Sequence, residues 1–220
     1  MRKKVENTNI GEKTVRKLVL ASASPRRREL LQEAGYNFDI CPADNVDETF
    51  SPNRETPSDH VQRLAREKAG EIVLRRLEDR AQIESPAVIG AIKHAVIGCD
   101  TVAVCDGEVL GKPHDLADAR RMLERLSGRE HEVISGLCVW PLPENRPTVR
   151  LATTKLRMDR LSLDQLDEYL ASGQWSGKSG AFGYQDRTGW LHVITGSESN
   201  VVGLPLELLA EMLQEHEPNE

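Results

Sequence analysis

The polarity pattern of the first part of the chain changes from tail to strand to helix. Residues 1–16 hold several basic side chains, few apolar ones and no periodicity, which predicts a disordered basic tail. The apolar run 17–21 predicts a short buried strand. Ser24 then suits a helix N-cap, Pro25 the first helical position and Gly35 the residue past the last turn. A strand, a tight loop and a helix are therefore expected here.

Strand and helix periodicities alternate through the rest of the chain. The predicted strands cover 17–21, 36–41, 95–105, 108–111, 130–140, 148–158 and 190–194, and the predicted helices cover 25–34, 57–77, 115–126, 163–172 and 204–213. Residues 78–94 follow neither periodicity, so we expect a surface insertion there.

The order of these elements predicts the fold class. Strand and helix come first, an antiparallel block follows, and strand and helix close the chain. This order is typical of an α/β protein with a mixed sheet. We expect a single domain with two lobes over residues 17–214 and a short C-terminal tail over residues 215–220.

Composition and charge exclude several classes of protein. The chain has 220 residues, a formal net charge of -6 and 4% aromatic residues, so it lacks the basic surface and stacking platforms of a nucleic-acid binder. Its apolar runs fall far short of the roughly 20 residues that cross a bilayer, and its basic N-terminus lacks the apolar segment of a signal peptide. We expect a cytoplasmic protein that binds neither nucleic acid nor membrane.

The cysteines and histidines show no metal-site spacing. No two cysteines form a C-x-x-C pair, and no histidine lies three to five residues from another, so neither zinc nor a disulfide framework is indicated. Buried reduced thiols are the expected state of Cys41, Cys99, Cys105 and Cys138. His131, flanked by glutamates, is predicted to be a strand residue rather than a catalyst.

A cluster of hydroxyls and guanidinium groups lies where the first strand meets the first helix. It comprises Ser22, Ser24, Arg26, Arg27 and Arg28. A helix N-terminus offers free N–H groups and partial positive charge, and arginine adds donors that match phosphate oxygens. The cluster predicts an anion site, although a capped helix with a solvated basic first turn remains the alternative.

Two carboxylates and two lysines extend this chemistry. Asp100 interrupts an apolar strand, where a charge is costly unless it binds metal, pairs with an arginine or caps a turn. Glu48 lies in an acidic loop that is either solvated or a source of ligands for Mg²⁺ or Mn²⁺. Lys112 and Lys178 end fragments with three residues between the glycines, where a Walker A loop needs four, but each lysine can still reach a phosphate. The set favours metal-assisted attack of water on a phosphoanhydride.

Eight distinct motifs follow one another between about residue 17 and residue 214. They are LASASPRR at 20–27, VDE at 46–48, RLAREKA at 63–69, IGCDTV at 97–102, GKP at 111–113, LSGREHEV at 126–133, KSGAFGYQ at 178–185 and NVVGLPL at 200–206. In these motifs the chain resembles the Maf proteins, a family of nucleoside triphosphate pyrophosphatases of the house-cleaning type.

The resemblance implies a mixed sheet flanked by helices, with two lobes around a central cleft, usually in a homodimer. It implies cleavage of a nucleoside triphosphate between its α- and β-phosphates, giving the monophosphate and pyrophosphate, with a divalent cation. Asp100 takes the position of the proton acceptor, and Glu48 and Asp100 take the positions that hold the metal. The positions that bind phosphate are Ser22, Arg27, Lys68 and Lys112.

The resemblance also bears on the choice of base. Arg26, Thr101 and Gln185 fall on positions associated with base selection in the subfamily that acts on dTTP and UTP. The sister subfamily, which acts on 7-methyl-GTP, tends to have Gln after the aspartate and Glu in place of Gln185. An amide both donates and accepts, as a pyrimidine edge requires, whereas a carboxylate suits the donors of guanine. We therefore expect dTTP and UTP, and modified pyrimidine nucleotides, as substrates.

Three residues depart from the family pattern near the last of these positions. Ser179 replaces the usual Ala, Phe182 replaces the usual Tyr, and Asp186 stands where Gly often follows the glutamine. The change at Asp186 can alter the loop around the base. The tail at 1–16 and the insertion at 78–94 lie outside the family pattern.

Two other functions stay open at this point. One is a regulatory nucleotide-binding protein that restrains septum formation and cell division, and the other is a 7-methyl-GTP pyrophosphatase. Retention of Glu48, Asp100 and Lys112 favours catalysis, because a sensor would not need a carboxylate that activates water.

Overall fold

The computed structural model describes residues 17–83, 94–142 and 146–216. Its strands are β1 (Lys17–Leu20), β2 (Phe38–Ile40), β3 (His94–Cys105), β4 (Glu108–Leu110), β5 (Glu130–Leu142), β6 (Thr148–Met158) and β7 (Leu191–Thr195). Its helices are α1 (Pro25–Glu33), α2 (Pro57–Ile83), α3 (Leu116–Leu126), α4 (Leu163–Ala171), α5 (Glu198–Val202) and α6 (Leu206–Glu215). The predicted tail at 1–16 and most of the predicted insertion lie outside the described residues.

The strands form one mixed sheet. Its order is β2-β1-β3-β5-β6-β7, and β4 pairs with the far end of β3. β1 is parallel to both β2 and β3, whereas the pairs along β3, β5, β6 and β7 are antiparallel. The predicted α/β class with a mixed sheet is confirmed.

Two apolar cores lie at the two ends of the central strands. The first contains Leu31 of α1, Ile97 of β3 and Leu209 of α6. The second contains Leu123 of α3 and Leu166 of α4 and packs against the far end of β3. Because β3 and β5 contribute side chains to both cores, these two strands connect the two cores.

Helix α2 packs on β3 and β5 at two glycines. A Cβ atom at Gly98 would lie 2.0 Å from the carbonyl oxygen of Ala65, and one at Gly136 would lie 2.2 Å from that of Val61. Only a residue without a side chain allows this approach of helix backbone to strand. The contact brings the buried face of α2 against the middle of the sheet.

Several element boundaries differ from those predicted. α2 continues to Ile83, so the predicted end at Leu77 is too early and the predicted insertion begins too soon. Ser24 lies at the N-cap of α1 as predicted, but its side chain makes no capping hydrogen bond with the described residues. The five-residue helix α5 was not predicted, because it is too short to show a period.

The structure also bears on membrane spanning and on the state of the cysteines. Within residues 17–83, 94–142 and 146–216, no helix is long and apolar enough to cross a membrane. All four cysteines lie in these ranges as free thiols, and Cys99, Cys105 and Cys138 are buried, whereas Cys41 is partly exposed.

Candidate active site

An interruption in strand pairing creates the site. One edge of β3 pairs with β5 from His94 to Val104. The other edge pairs with β1 as far as Ile97 and with β4 from Ala103 onward, and no strand of the described residues pairs between them. Asp100 lies in this gap with 9% of its surface exposed. The sheet thus opens a cleft at the carboxylate that the sequence singled out.

A cavity of about 370 Å³ occupies this cleft. It is lined by eight predicted site residues, namely Ser22, Arg26, Arg27, Glu48, Lys68, Asp100, Thr101 and Lys112. The ninth predicted site residue, Gln185, does not line this cavity. It is exposed on the 3₁₀ turn Tyr184–Asp186. The fold therefore brings together residues from α1, α2, β3 and three loops.

One ammonium group joins the two candidate metal-binding carboxylates. Lys68 Nζ lies 2.6 Å from Glu48 Oε1 and 2.7 Å from Asp100 Oδ1. Burial opposes the ionisation of Glu48, but the hydrogen bond from Lys68 and the nearby positive charges together outweigh it, so the pKa of this carboxyl lies below its usual value. Asp100 thus pairs with a lysine rather than with the arginine that was one alternative.

The N-terminus of α1 forms the basic wall of the cavity. Arg27 donates from Nη1 to Ser22 Oγ over 3.1 Å and from Nε to the carbonyl oxygen of Gly203 over 2.8 Å. Ser22 Oγ also accepts from the backbone N–H of Ser24 over 3.2 Å. These bonds hold the guanidinium beside the first turn of a helix, where partial positive charge favours an anion.

Two of the residues that the resemblance assigns to base selection are held by other parts of the chain. Thr101 Oγ1 lies 2.7 Å from Ser135 Oγ of β5. Arg26 donates from Nη2 to the carbonyl oxygen of Gly177 over 2.8 Å. Burial lowers the pKa of Arg26, and the negative charge of Asp186 opposes this shift.

A second cavity of about 550 Å³ shares lining residues with the first, including Glu48, Asp100 and Lys112. Its other walls are more apolar and include Phe50 and Val109. The two carboxylates therefore lie where the two cavities meet, which provides room for an extended ligand with a polar and an apolar part.

Sequence reasoning missed the groups that orient the cationic side chains. Gly203 lies 176 positions from Arg27, and Gly177 lies 151 positions from Arg26. Both acceptors are backbone carbonyls, which every residue carries, so no side-chain pattern marks them. The motif NVVGLPL at 200–206 was the available signal for Gly203.

The two carboxylates supply part of the ligand set of a divalent cation. Two carboxylate oxygens already approach one positive group, and oxygen ligands suit Mg²⁺ or Mn²⁺. Among residues 17–83, 94–142 and 146–216, no group of three or more His, Cys, Asp or Glu side chains could hold a metal ion. The pair fits a cation that takes its other ligands from water and from phosphate oxygens, as Mg²⁺ commonly does.

A basic cleft with a buried carboxylate, on a mixed α/β sheet, suits an enzyme that hydrolyses phosphoanhydrides. The chain belongs to the Maf-like protein family, whose model matches residues 17–216. The resemblance drawn from the motifs is confirmed.

The names of similar proteins agree with this class. Over 210 residues the chain is 45% identical to a dTTP/UTP pyrophosphatase of Rhodopirellula baltica, covering 95% of this chain and 86% of that protein. It is 43% identical to the protein of that name in Citrifermentans bemidjiense over 192 residues, or 86% and 90% of the two chains. For the protein of that name in Alcanivorax borkumensis the identity is 40% over 198 residues, or 90% and 94%.

Proposed function

We propose that this protein hydrolyses dTTP and UTP between the α- and β-phosphates, giving the monophosphate and pyrophosphate. The observation that carries the proposal is the convergence of Glu48 and Asp100 on Lys68 beside the N-terminus of α1. The names of the similar proteins support the substrates. Modified pyrimidine nucleotides fall within the same proposal.

Asp100 acts as the general base in this proposal. Its ionised carboxylate accepts a proton from the attacking water, and Lys68 compensates the charge of the carboxylate before attack. Ser22, Arg27, Lys68 and Lys112 bind the phosphates, and the free N–H groups of α1 add to them. Since Ser22, Arg27 and Lys68 are held by other protein groups, they need little reorganisation as charge develops on the phosphate oxygens.

Glu48 and Asp100 would hold the divalent cation. A bound Mg²⁺ or Mn²⁺ supplies charge neutralisation at the phosphate oxygens. The Lys68 ammonium lies between the same two carboxylates and partly neutralises them in the free protein. Glu48 keeps half of its side chain exposed, at 51%, so this carboxylate is accessible from solvent.

Arg26, Thr101 and Gln185 select the base. Arg26 and Thr101 line the cavity, whereas Gln185 belongs to the adjacent turn. The amide of Gln185 can donate to a pyrimidine carbonyl and accept from N3–H, which a carboxylate cannot do. The proposed preference is therefore for dTTP and UTP over 7-methyl-GTP.

The test is a nucleotide panel assayed for pyrophosphate release with Mg²⁺, with Mn²⁺ and with a chelator. Wild-type protein should act on dTTP and UTP when metal is present, and Asp100→Asn should lower kcat by about 10²-fold or more, because the amide cannot take the proton. Full activity of Asp100→Asn would exclude the role of this residue. Preference for 7-methyl-GTP would overturn the assigned substrates.

Asp106→Asn is the matched control for this substitution. Asp106 follows the end of the same strand, its side chain is 56% exposed, and it pairs with Arg125 and Arg129. The change removes the same charge outside the cavity, so kcat should remain within about twofold of wild type. Comparison of the two variants separates loss of the base from a general effect of charge.

We also propose that the protein is cytoplasmic and that it forms a homodimer. Free thiols at all four cysteines suit a reducing compartment. Exposed leucines, among them Leu74 of α2 at 63% and Leu163 of α4 at 74%, provide apolar surface that a second copy can cover. Sedimentation at the mass of a single chain over a wide range of protein concentrations would contradict the dimer.

A further inference from the structure

A buried charge network lies at the loop that follows α4. Lys178 Nζ forms an ion pair with Asp186, and the two side chains are only 9% and 8% exposed. Tyr169 of α4 donates its hydroxyl hydrogen to Asp186 Oδ2 over 2.6 Å. Burial and this hydrogen bond raise the pKa of Tyr169, so the phenol keeps its proton. Asp186 thus accepts from a lysine and a tyrosine inside the protein.

The ion pair closes the segment between its two members, residues 178–186, which we call the specificity loop. The backbone of Gly183 packs against the pair, since a Cβ atom there would lie 2.5 Å from Lys178 Nζ and 2.7 Å from Asp186 Oδ2. Within the loop, Gly180 and Ala181 have φ of 72° and 62°. A left-handed conformation at alanine is costly and persists only where surrounding contacts impose it.

The specificity loop contacts the active site at two points, and the residue before the loop makes a third contact. Ser179 donates from Oγ to the carbonyl oxygen of Thr101 over 3.0 Å. The N–H of Gly180 donates to the carbonyl oxygen of Gly111, the residue before Lys112, over 3.0 Å. Arg26 donates to the carbonyl oxygen of Gly177, the residue before the loop. Displacement of the loop would therefore move the groups that surround the base and the phosphates.

Electrostatics link the network to Arg26 as well. Burial lowers the pKa of both Arg26 and Lys178, and the charge of Asp186 opposes the shift in each case. One carboxylate therefore compensates two partly buried cations. In this arrangement the charged residue at position 186 is compensated within the protein.

We infer that Lys178, Asp186 and Tyr169 are positioning residues for base selection. Their network fixes the specificity loop, which carries Gln185, and anchors the carbonyl that holds Arg26. None of the three lines the active-site cavity. The inference rests on the proposed function, because it assigns these residues to the selection of the nucleotide by that site.

The test is Asp186→Asn, which keeps the shape of the side chain and removes its charge. We expect KM for dTTP to rise about tenfold while kcat stays within about twofold, because the loss falls on nucleotide binding rather than on the chemical step. The preference for dTTP over 7-methyl-GTP should fall by a similar factor. An unchanged KM and an unchanged preference would overturn the inference.

Asp167→Asn is the matched control. Asp167 lies on α4 two residues before Tyr169, its side chain is 60% exposed, and it pairs with Arg120. The substitution removes a carboxylate from a surface ion pair on the same helix, so KM and kcat should stay at wild-type values. A rise in KM equal to that of Asp186→Asn would also overturn the inference.

The double variant Lys178→Met/Asp186→Asn separates positioning from stability. Asp186→Asn leaves Lys178 as a lone buried charge, which should lower the melting temperature. Replacement of this lysine by methionine in the double variant should restore the melting temperature toward that of wild type. If the loop is positioned by the ion pair, KM remains raised. If KM returns with the melting temperature, the network acts through stability alone and the inference is wrong.

Amide hydrogen exchange keeps the inference testable apart from activity. If wild-type protein hydrolyses neither dTTP nor UTP, the proposed function fails, and exchange then decides whether the network orders the loop. Asp186→Asn should speed exchange over residues 177–187 and leave α2 unchanged. Equal protection of the loop in both proteins would overturn the positioning role.

Discussion

At the scale of single residues, the site depends on one lysine that serves two carboxylates. Lys68 comes from α2, Asp100 from β3 and Glu48 from the loop before α2. Two carboxylates in close proximity repel each other, and an ammonium between them removes much of that cost. Lys112 Nζ adds a weaker interaction at 3.9 Å from Glu48 Oε2. The negative charges of the two carboxylates are therefore compensated before a nucleotide arrives.

His131 shows how burial determines the state of a titratable group. It lies on β5 with 3% of its surface exposed, and its ring meets that of Phe182 edge to face at 5.2 Å. Burial lowers the pKa of His131 to about 4, against an ordinary value of 6.5. The interpretation of this histidine as a strand residue is confirmed, since it lies within β5.

The pH dependence of stability should report this histidine. Between pH 6.5 and about 4 the unfolded chain binds a proton here that the folded protein does not, so the free energy of unfolding falls as the pH falls. His131→Gln should remove this part of the slope, up to about 3 kcal/mol by the acid end. Urea unfolding of both proteins across that range measures it.

Unfolding at about pH 8, where the imidazole is neutral in both states, gives the cost of the substitution in packing alone. Subtraction of that cost isolates the titration of His131. Parallel loss of stability in the two proteins on acidification would show that the proton uptake occurs elsewhere.

At the scale of secondary structure, contact between α2 and the sheet determines the reach of Lys68. Gly98 lies two residues before Asp100, and its Cα hydrogen faces the backbone of α2 near Ala65. The close approach leaves Lys68 Nζ 2.7 Å from Asp100 Oδ1. A larger residue at position 98 would move the helix away from the strand and lengthen this ion pair.

Gly98→Ala should be strongly destabilising. The new methyl group would lie 2.0 Å from the carbonyl oxygen of Ala65, and a backbone group cannot yield as a flexible side chain can. We expect a loss of about 3 kcal/mol in the free energy of unfolding, at the upper end for added volume in a packed core. Urea denaturation measures this loss.

Gly111→Ala is the control, because a Cβ atom at Gly111 meets nothing within 4 Å and its backbone is not in the left-handed region. Its free energy of unfolding should stay within about 0.5 kcal/mol of wild type. Similar losses in the two variants would mean that loss of glycine flexibility, rather than the contact with α2, determines stability.

Prediction of the elements succeeded where the pattern was long or the cap was marked. Strands β3, β5 and β6 and helix α4 follow from local sequence, because the period is visible within one segment, and in the structure Ser162 forms a capping box at the start of α4. The end of α2 was placed too early, although Glu78, Arg80, Ala81 and Gln82 are good helix formers. Its apolar period fades before the helix does.

At the scale of the whole molecule, the acidic chain concentrates cationic groups in one cleft. The formal net charge is -6, yet Arg26, Arg27, Lys68 and Lys112 line the same cavity. These residues come from α1, α2 and the segment after β4, which are far apart along the chain. A bound triphosphate would therefore contact several elements at once and stabilise their arrangement.

Nucleotide and metal together should raise the melting temperature of Asp100→Asn, which binds substrate without rapid turnover in the proposed mechanism. A ligand at about 100 times its dissociation constant adds about 2.7 kcal/mol to the free energy of unfolding. For a chain of this size we expect a shift of about 5 °C or more with dTTP and Mg²⁺. Differential scanning fluorimetry measures it.

The chelator arm of this experiment tests whether a divalent cation takes part in nucleotide binding beside Glu48. Excess EDTA should reduce the shift, because the triphosphate charge then faces Glu48 without a cation. A shift of the same size with EDTA would show that nucleotide binding does not involve a divalent metal.

The sequence by itself determined the class of fold, most strands and helices, and the residue types that meet a polyanion, because periodicity, caps and motifs are local properties. The tertiary structure decided that Lys68 bridges Glu48 and Asp100, that Gly203 and Gly177 orient Arg27 and Arg26, and that Gln185 lies outside the cavity lining. These outcomes depend on how distant segments pack, and backbone carbonyls and glycine contacts leave no side-chain signature along the chain.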